Sequence, residues 1–316
     1  MPETKIHLLI PNLKKRFSGI TSTVLQVLPE MEEAAEIRVI GNRLPGTSYP
    51  SWSLFQVFRE TGRRGPTWIF HARRNNEMIL GLVLKKLFRR NLKLVFTSVA
   101  QRHHTRLTRF LYKRMDLLLS TSDRSASFLE IPPRAIIPHG TDIDRYRPVE
   151  DLDSAWEETG LPGRYGLGIF GRVRPQKGHR EWIEALGKVL PNYPEYTAVI
   201  IGETTPKYLP FQEELQKKIS DCGLEGQFRW LGQRPFSELP YWFQRMTLVA
   251  AVPHNEGFGL TCLEAMASGV PVLATRTGGF EMAVRPDIDG FLVPCRDAPA
   301  IENVLKKALP DPGKLR

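Results

Sequence analysis

Short apolar runs rich in β-branched residues alternate with segments of helical periodicity along most of the chain. This alternation is typical of α/β domains with a parallel sheet, because a crossover helix separates each strand from the next. At 316 residues the chain exceeds what one hydrophobic core usually spans, so two such domains are predicted. We expect them at residues 1–150 and 151–316, with the segment Pro148–Gly163 as the linker region. Each would be doubly wound, the two would face a central cleft, and ligands would lie at the carboxyl ends of strands.

The runs and the periodicity predict specific elements. Strands are expected at Lys5–Ile10, Glu36–Ile40, Thr67–His71, Leu92–Thr97, Asp116–Ser120, Tyr165–Phe170, Thr197–Ile201, Phe228–Leu231, Thr247–Val252, Pro271–Ala274 and Phe291–Val293. Helices are expected after a cap at Ser18, after Gly178, and at Asn76–Arg89, Arg102–Arg114, Lys207–Cys222, Leu260–Ser268 and Ala298–Leu309.

The net charge of +10 is unevenly distributed. Residues 1–150 hold 25 Lys and Arg against 13 Asp and Glu, whereas residues 151–316 hold 19 against 21. Ten cations lie between Lys85 and Arg114, and the spacing of Arg102, Arg106, Arg109 and Lys113 predicts one basic helical stripe. Such a stripe suits peripheral contact with an anionic membrane surface; a solvated cationic face is the alternative. No nucleic-acid partner is expected, because no helix-turn-helix, RNP-like or zinc-finger pattern accompanies the charge.

Cysteine usage and the N-terminus bear on the compartment. Cys222, Cys262 and Cys295 are odd in number and far apart, which favours a reduced, cytoplasmic chain over a disulfide framework. The apolar stretch before Pro11 is too short for a signal peptide. No apolar run approaches the roughly 18 residues of a spanning helix. Any contact with a membrane is therefore expected at its surface.

The segment His254–Glu281 is the most specific part of the sequence. Glu256 precedes a predicted helix, Glu264 lies two turns inside it, and Gly257-Phe258-Gly259 stands between them. The glycines leave room for amides at a helix N-terminus to approach an anion, and Glu264 can accept bonds from vicinal ribose hydroxyls. A solvated helix face is the alternative, but the helix is otherwise apolar or small, and a lone buried carboxylate is costly. The segment therefore predicts a site for a nucleotide that carries a sugar.

A second motif, Gly171 to Gly178, directly follows the predicted strand Tyr165–Phe170. Its Arg172 can grip phosphate oxygens as a fork, and its Lys177 adds a point charge. The two would neutralise a diphosphate leaving group without metal, so neither a metal ion nor a cofactor is expected. Cations in loops are usually only solvated, but a position about 80 residues before the acidic motif favours phosphate binding.

Together these motifs resemble the donor half of the retaining glycosyltransferases of family 4. The resemblance rests on Gly171-Arg172 with Lys177-Gly178, on Glu256 to Gly259 with Glu264, and on Gly278 to Glu281. It implies the GT-B fold, with two Rossmann-like domains, and front-face attack by the acceptor without a covalent enzyme intermediate. It implies Glu256, Arg172 and Lys177 as catalytic residues. The donor-binding residues it implies are Gly19, Arg172, Lys177, Gly232, Gln233, Glu256, Gly257, Phe258, Gly259, Leu260 and Glu264.

The first half is most similar, within that family, to the lipopolysaccharide inner-core mannosyltransferases, which move mannose from GDP-mannose onto a Kdo sugar. The similarity lies in His71–Glu77 and Phe96–His104. It implies a GDP-sugar donor and an anionic glycolipid acceptor at the inner face of the cytoplasmic membrane. The acceptor-binding residues it implies are His71, Arg73, Arg74, Arg102, His103 and His104. The alternatives are another sugar nucleotide, a polyprenyl-linked glycolipid acceptor, or a sugar-nucleotide or nucleic-acid binding module without turnover.

Three features depart from the family pattern. Ser98 stands where many members carry a histidine that meets the donor sugar, so either His103 or His104 replaces that contact or the contact is absent. We expect only one of these adjacent histidines to be functional. His139 stands in place of an asparagine. The chain also ends soon after the helix expected at Ala298–Leu309, where family members usually continue through helices that cross back to the first domain.

Overall fold

A computed structural model of the chain describes residues 6–14, 19–44 and 47–315. Its contacts divide the chain into two compact units, Met1–Gly140 and Thr141–Arg316. Each unit is built on one parallel sheet with helices against it, so the prediction of two α/β units is confirmed. Among the helices described, none combines the length and the apolarity that a bilayer-spanning helix needs.

Seven strands form the sheet of the first unit: β1 (Ile6–Asn12), β2 (Ala35–Gly41), β3 (Ser51–Trp52), β4 (Trp68–Ala72), β5 (Leu92–Ser98), β6 (Leu117–Ser120) and β7 (Ala135–Ile136). The described helices are α1 (Gly19–Ala34), α2 (Leu54–Glu60), α3 (Asn75–Leu82), α4 (Arg106–Tyr112) and α5 (Asp123–Ala126), and a π-helical turn, Val83–Leu87, continues α3. The strands are parallel in the order β3-β2-β1-β4-β5-β6-β7. The order therefore reverses direction between β1 and β4, the place where ligands bind in doubly wound sheets.

Three helices of the first unit cover the same face of its sheet. Val57 of α2, Met78 of α3 and Leu111 of α4 are buried in one apolar cluster with Phe70 of β4 and Leu94 of β5. Right-handed crossovers from β3 to β4, β4 to β5 and β5 to β6 run in one direction and place their helices on one side. The outer surfaces of α2, α3 and α4 consequently form one face of the unit.

Six strands form the sheet of the second unit: β8 (Tyr165–Phe170), β9 (Tyr196–Ile201), β10 (Phe228–Gly232), β11 (Leu248–Ala251), β12 (Val272–Thr275) and β13 (Gly290–Val293). The described helices are α6 (Leu152–Glu157), α7 (His179–Val189), α8 (Leu209–Asp221), α9 (Leu239–Phe243), α10 (Leu260–Ala267), α11 (Phe280–Ala283) and α12 (Ala298–Ala308). The strands are parallel in the order β10-β9-β8-β11-β12-β13. The order reverses direction between β8 and β11, so their carboxyl ends flank this unit's natural ligand position.

The segment Pro148–Gly163, expected to be a linker, belongs to the second unit. Trp156 of α6 is 1% exposed and packs in an apolar cluster beneath the second sheet. Tyr146 is also fully buried in that cluster, with its ring edge against Phe243. Because this packing begins before Glu150, the units divide after Gly140 rather than after Glu150.

The basic stripe predicted on one helix is wrong in two respects. Thr105 caps α4, so Arg102 precedes the helix instead of lying on it. Arg109 and Lys113 both pair with Glu130, whose position lies outside the basic run. The predicted cap at Ser18 lies outside the described residues, and the two-residue strands β3 and β7 were not predicted.

Candidate functional site

An ion pair joins the two donor motifs of the second unit. The loop after β8 carries Arg172, then forms a 3-10 turn, Pro175–Lys177, before α7 begins. The ammonium of Lys177 donates a hydrogen bond to the carboxylate of Glu256, which follows β11. Lys177, predicted to bind phosphate, and Glu256, predicted to contact the sugar, are therefore in direct contact at the carboxyl edge of the sheet.

Gly178 explains how this loop reaches β11. Its φ of 76° lies in the left-handed region, and a Cβ atom there would stand 1.9 Å from the carbonyl oxygen of Val252. Only glycine fits so close an approach of two backbones. The loop end consequently lies against the chain that follows β11, and Lys177 extends to Glu256.

The surroundings of Glu256 keep its carboxylate charged. Burial raises the pKa of Glu256, but the ammonium of Lys177 and the Gly257 amide, which donates to Oε1 at 3.1 Å, outweigh burial and lower the pKa overall. A carboxylate that is ionised and also held in place can orient sugar hydroxyls.

The glycine-rich segment before α10 packs against the chain that follows β12. Gly259 has a φ of 91°, and a Cβ atom there would stand 2.1 Å from the ring of Phe280. The Gly279 amide donates to the carbonyl of Phe258 at 2.8 Å, which fixes the two segments together. The first amides of α10 have no partner within the helix, as at every helix N-terminus, and such amides favour an anion.

Glu264 is buried, as the composition of its helix predicted. It is 6% exposed, and the hydroxyl of Tyr146 donates to its Oε1 at 3.3 Å. The tyrosine comes from the chain that enters the second unit, 118 positions earlier. A buried carboxylate held by a neutral donor retains lone pairs for the hydroxyls of a ligand.

A second pair fixes the same two loops. His254 Nε2 lies 2.8 Å from Glu181 Oε1, and the His254 amide donates to the carbonyl of Gln176 at 3.0 Å. Glu181 lies in the first turn of α7, directly after the Lys177 loop. The position of Glu256 relative to Lys177 is thus set by three contacts: one ion pair, one side-chain pair and one backbone bond.

A small pocket opens at this edge of the sheet. It is lined by Lys177, Glu256, Thr261, Phe280 and the ends of β8 and β11. Arg172 lies half-buried on the loop after β8, and Gly232 and Gln233 are exposed at the end of β10. The structure therefore gathers the predicted donor-binding residues of this unit along the carboxyl ends of β8, β10 and β11.

The predicted acceptor residues lie along the carboxyl ends of β4 and β5 in the first unit. His71 Nε2 lies 2.7 Å from Thr97 Oγ1. Burial, then the charge of Arg73 and of His139, holds the pKa of His71 well below its usual value. Burial likewise lowers the pKa of His139 to about 4 and that of Arg73 to about 10. Arg73 is thus a half-buried cation beside two neutral histidines, and the carboxylate of Glu77 partly offsets the effect of burial on its pKa.

The structure separates the remaining acceptor candidates. Arg74 pairs with Glu77, which is 1% exposed, so Arg74 balances a buried acid. His104 Nε2 lies 3.3 Å from Ser98 Oγ, whereas His103 is exposed with its ring edge against Phe128. Of the adjacent histidines, His104 therefore lies at the end of β5.

Arg102 is exposed, and Gly19 begins α1, with open space where a Cβ atom would stand. Neither residue contacts the clusters at the ends of β4 and β5 through a bond that the structure describes.

Sequence reasoning missed Tyr146 and Glu181. Tyr146 lies on the segment by which the chain enters the second unit, four positions after Asp142. Glu181 and His254 each lie beside a donor motif, three positions after Gly178 and two before Glu256. Proximity to the motifs was the available signal, but the side-chain partners depend on tertiary packing.

The chain matches known proteins along nearly all of its length. Residues 159–316 match the family described as glycosyl transferases group 1. The lipopolysaccharide core biosynthesis mannosyltransferase LpcC of Rhizobium leguminosarum bv. viciae is 39% identical, covering 99% of this chain and 89% of that protein. A lipopolysaccharide core biosynthesis mannosyltransferase of Rhizobium meliloti strain 1021 is 36% identical, covering 98% of this chain and 89% of that protein.

Solved structures match the fold as well. The C-terminal domain of a glycosyl transferase group 1 protein from Francisella tularensis covers 55% of this chain and 90% of that one, with 39% identity and a TM-score of 0.53. Anabaena HepE in complex with UDP and glucose covers 98% of this chain and 91% of that one, with 21% identity and a TM-score of 0.81. At that identity the second likeness shows the fold alone, and the predicted GT-B fold is confirmed.

Proposed function

The chain belongs to the group 1 glycosyl transferases, and we propose that it transfers mannose from GDP-mannose to a Kdo sugar of the lipopolysaccharide inner core. That it is a glycosyltransferase follows from its family and from full-length relatives at 36% and 39% identity. The donor and acceptor are proposed because those relatives are named as mannosyltransferases of core synthesis. The contact between Lys177 and Glu256 is the observation that carries the proposal, since it brings together a side chain suited to phosphate and a side chain suited to sugar hydroxyls.

The second unit would bind the donor. Arg172, Lys177 and the first amides of α10 would stabilise the negative charge that develops on the departing diphosphate, without a metal ion. Glu264 would accept hydrogen bonds from the ribose hydroxyls, and Glu256 would orient the mannose. The bond from the mannose anomeric carbon to the phosphate oxygen breaks, and a bond to the acceptor oxygen forms on the same face. The acceptor proton passes to the departing phosphate oxygen.

The first unit would bind the acceptor. Kdo carries a carboxylate, and Arg73 is a half-buried cation at the end of β4, so an acidic sugar would pair favourably with it. Neutral His71 and His139 beside it can donate hydrogen bonds without changing the charge. We assign Arg74 a supporting place because it pairs with Glu77. The acceptor lipid would place the protein at the inner face of the cytoplasmic membrane, in contact with anionic lipid.

One assay tests the proposal. The protein is incubated with GDP-mannose and a Kdo-terminated lipid A acceptor, and the products are analysed by mass spectrometry for an added hexose. Product is expected, with retained anomeric configuration by NMR and an unchanged rate after treatment with a chelator. UDP-glucose in place of GDP-mannose, and an acceptor that lacks Kdo, serve as matched controls. Absence of product with every sugar nucleotide offered would sink the proposal, and loss of product after chelation would overturn its metal-independent form.

A further inference from the structure

Three helices of the first unit expose an unusual amount of apolar surface. The outer sides of α2, of α3 with its π-helical turn, and of α4, together with the residue after that turn, carry nine of the seventeen large apolar side chains that are exposed among the described residues. They are Leu54, Phe55, Phe58, Ile79, Val83, Leu87, Phe88, Leu107 and Phe110. A helix that buries one face normally presents polar residues on the other. We call this surface, with the cations beside it, the aromatic-basic face.

Contacts between the elements make the face continuous. Phe58 of α2 meets Phe88 edge to face with ring centroids 5.3 Å apart, and the guanidinium of Arg90 lies 3.7 Å from the ring centre of Phe58. At the other end, Asn75 of α3 donates to Thr108 of α4 at 2.9 Å. Phe55 and Leu87 project furthest, at 74% and 70% exposure.

The charge around this apolar surface is positive. Lys86, Arg89, Arg106 and Arg114 are exposed, and the guanidinium of Arg114 lies 3.4 Å from the ring centre of Phe110. The cations Lys85, Arg109 and Lys113 are by contrast neutralised by Asp116 or Glu130.

The acids of the three helices do not oppose that charge. Glu60 pairs with Arg59, and Glu77 is buried against Arg74. Aromatic side chains beside unopposed Arg and Lys are suited to a boundary where apolar chains meet anionic headgroups.

We propose that the aromatic-basic face docks on an anionic lipid bilayer, with Phe55 and Leu87 inserted below the headgroups. The inference deepens the proposed function and rests on it in one respect, because an acceptor held in a membrane requires a docking surface. Positive charge favours a bilayer over an apolar protein partner, since exposed Lys86, Arg89, Arg106 and Arg114 lie on or directly after the helical segments that carry the apolar side chains. Electrostatic attraction would bring the protein to the surface, and the apolar side chains would hold it there.

Vesicle binding tests the proposal with two matched double variants. One is Phe55→Ser with Leu87→Ser; the control, Leu209→Ser with Ile288→Ser, removes exposed apolar side chains from the second unit. Each protein is sedimented with vesicles of phosphatidylcholine alone and with vesicles containing one-third phosphatidylglycerol. We expect the wild type and the control to bind only the anionic vesicles. The Phe55/Leu87 variant should lose roughly tenfold or more of that affinity.

Three results would overturn the proposal. The wild type could fail to bind anionic vesicles, or the Phe55/Leu87 variant could bind them as tightly as the wild type and the control do. If the wild type is a dimer in solution and does not bind vesicles, and the Phe55/Leu87 variant is a monomer, the face would instead be assigned to a second copy of the chain. Sugar transfer to a deacylated acceptor in solution distinguishes this proposal from the proposed function. The Phe55/Leu87 variant should retain that transfer. If the wild type itself shows no such transfer, the proposed function is contradicted, and the vesicle result is unaffected.

Discussion

Lys177 and Glu256 form an ion pair between loops whose residues lie 79 positions apart in the chain. Both side chains are mostly buried, at 22% exposure each, and the Gly257 amide also holds the carboxylate. In the proposed donor complex, a diphosphate would meet an ammonium already placed and partly neutralised by Glu256. Lys177 would then be shared between the phosphate and Glu256.

Substitution of Lys177 by Met should slow sugar transfer roughly 100-fold or more, since one positioned charge at a departing anion is worth about that much. The change should also weaken donor binding, because Glu256 then faces the diphosphate without a cation between them. Steady-state rates over a range of donor concentrations measure both effects. Lys188→Met is the matched control, since Lys188 is 63% exposed and pairs with Glu302 on the surface. Equal rates for Lys177→Met and the wild type would remove Lys177 from the site.

Substitution of Tyr146 by Phe should raise the donor dissociation constant about fivefold, because the hydroxyl that positions Glu264 is lost. The effect should disappear with a 2′-deoxyribose donor if Glu264 acts on the ribose hydroxyls. Fluorescence or calorimetric titration with both donors measures this difference. Tyr193→Phe, on the turn before β9 and so at the opposite edge of the sheet, should leave both constants unchanged. An equal loss with both donors would show that Tyr146 supports the fold only.

The positions of the donor loops could be predicted because parallel sheets bring the carboxyl ends of their strands to one edge. Arg172 directly follows a run that reads as a buried strand, and Glu256 precedes a run that reads as a helix. The hydrogen bonds between those loops could not be predicted. They depend on tertiary contacts. One is the close approach of Gly178 to Val252, where a Cβ atom would stand 1.9 Å from the carbonyl oxygen, and the other is the pair of His254 with Glu181.

The basic run shows the same limit for electrostatics. A local window from Lys85 to Arg114 contains no acid, so its cations appear unopposed in the sequence. In the fold Asp116 reaches Lys85, and Glu130 reaches the last turn of α4. The mixture of apolar and basic residues from Lys85 to Arg90 is visible in the sequence, but the contribution of α2 to the aromatic-basic face is not, for a related reason. Phe55 and Phe58 lie some 30 positions before Leu87 and Phe88, and only the sheet order places them side by side.

Substitution of Gly178 by Ala should destabilise the second unit by about 2 kcal/mol or more, since a Cβ atom there meets the Val252 carbonyl in a left-handed conformation. Thermal or urea unfolding of the full chain measures the loss. Gly226→Ala is the control, because no atom lies within 4 Å of a Cβ placed there. A Gly178→Ala protein as stable as Gly226→Ala would contradict the backbone packing on which the Lys177 contact depends.

Acid should weaken the second unit through His179, the fully buried first residue of α7. Burial, with the charge of Lys177 nearby, lowers its pKa from 6.5 to about 3. Between those values the unfolded chain binds a proton that the folded chain does not. Stability is therefore complete above about pH 6.5 and falls as the pH decreases, at most by about 1.4 kcal/mol per pH unit for this one group.

Urea unfolding at pH 7.5, 6.0 and 5.0 tests this dependence with His179→Gln, which stays neutral at every pH. The free energy of unfolding of the wild type should fall more steeply than that of His179→Gln as the pH decreases. The stability of the variant relative to the wild type should therefore increase from pH 7.5 to pH 5.0. His103→Gln removes an exposed histidine and should reproduce the wild-type slope. Parallel profiles for the wild type and His179→Gln would mean that His179 titrates normally in the folded chain, and would contradict its burial beside Lys177.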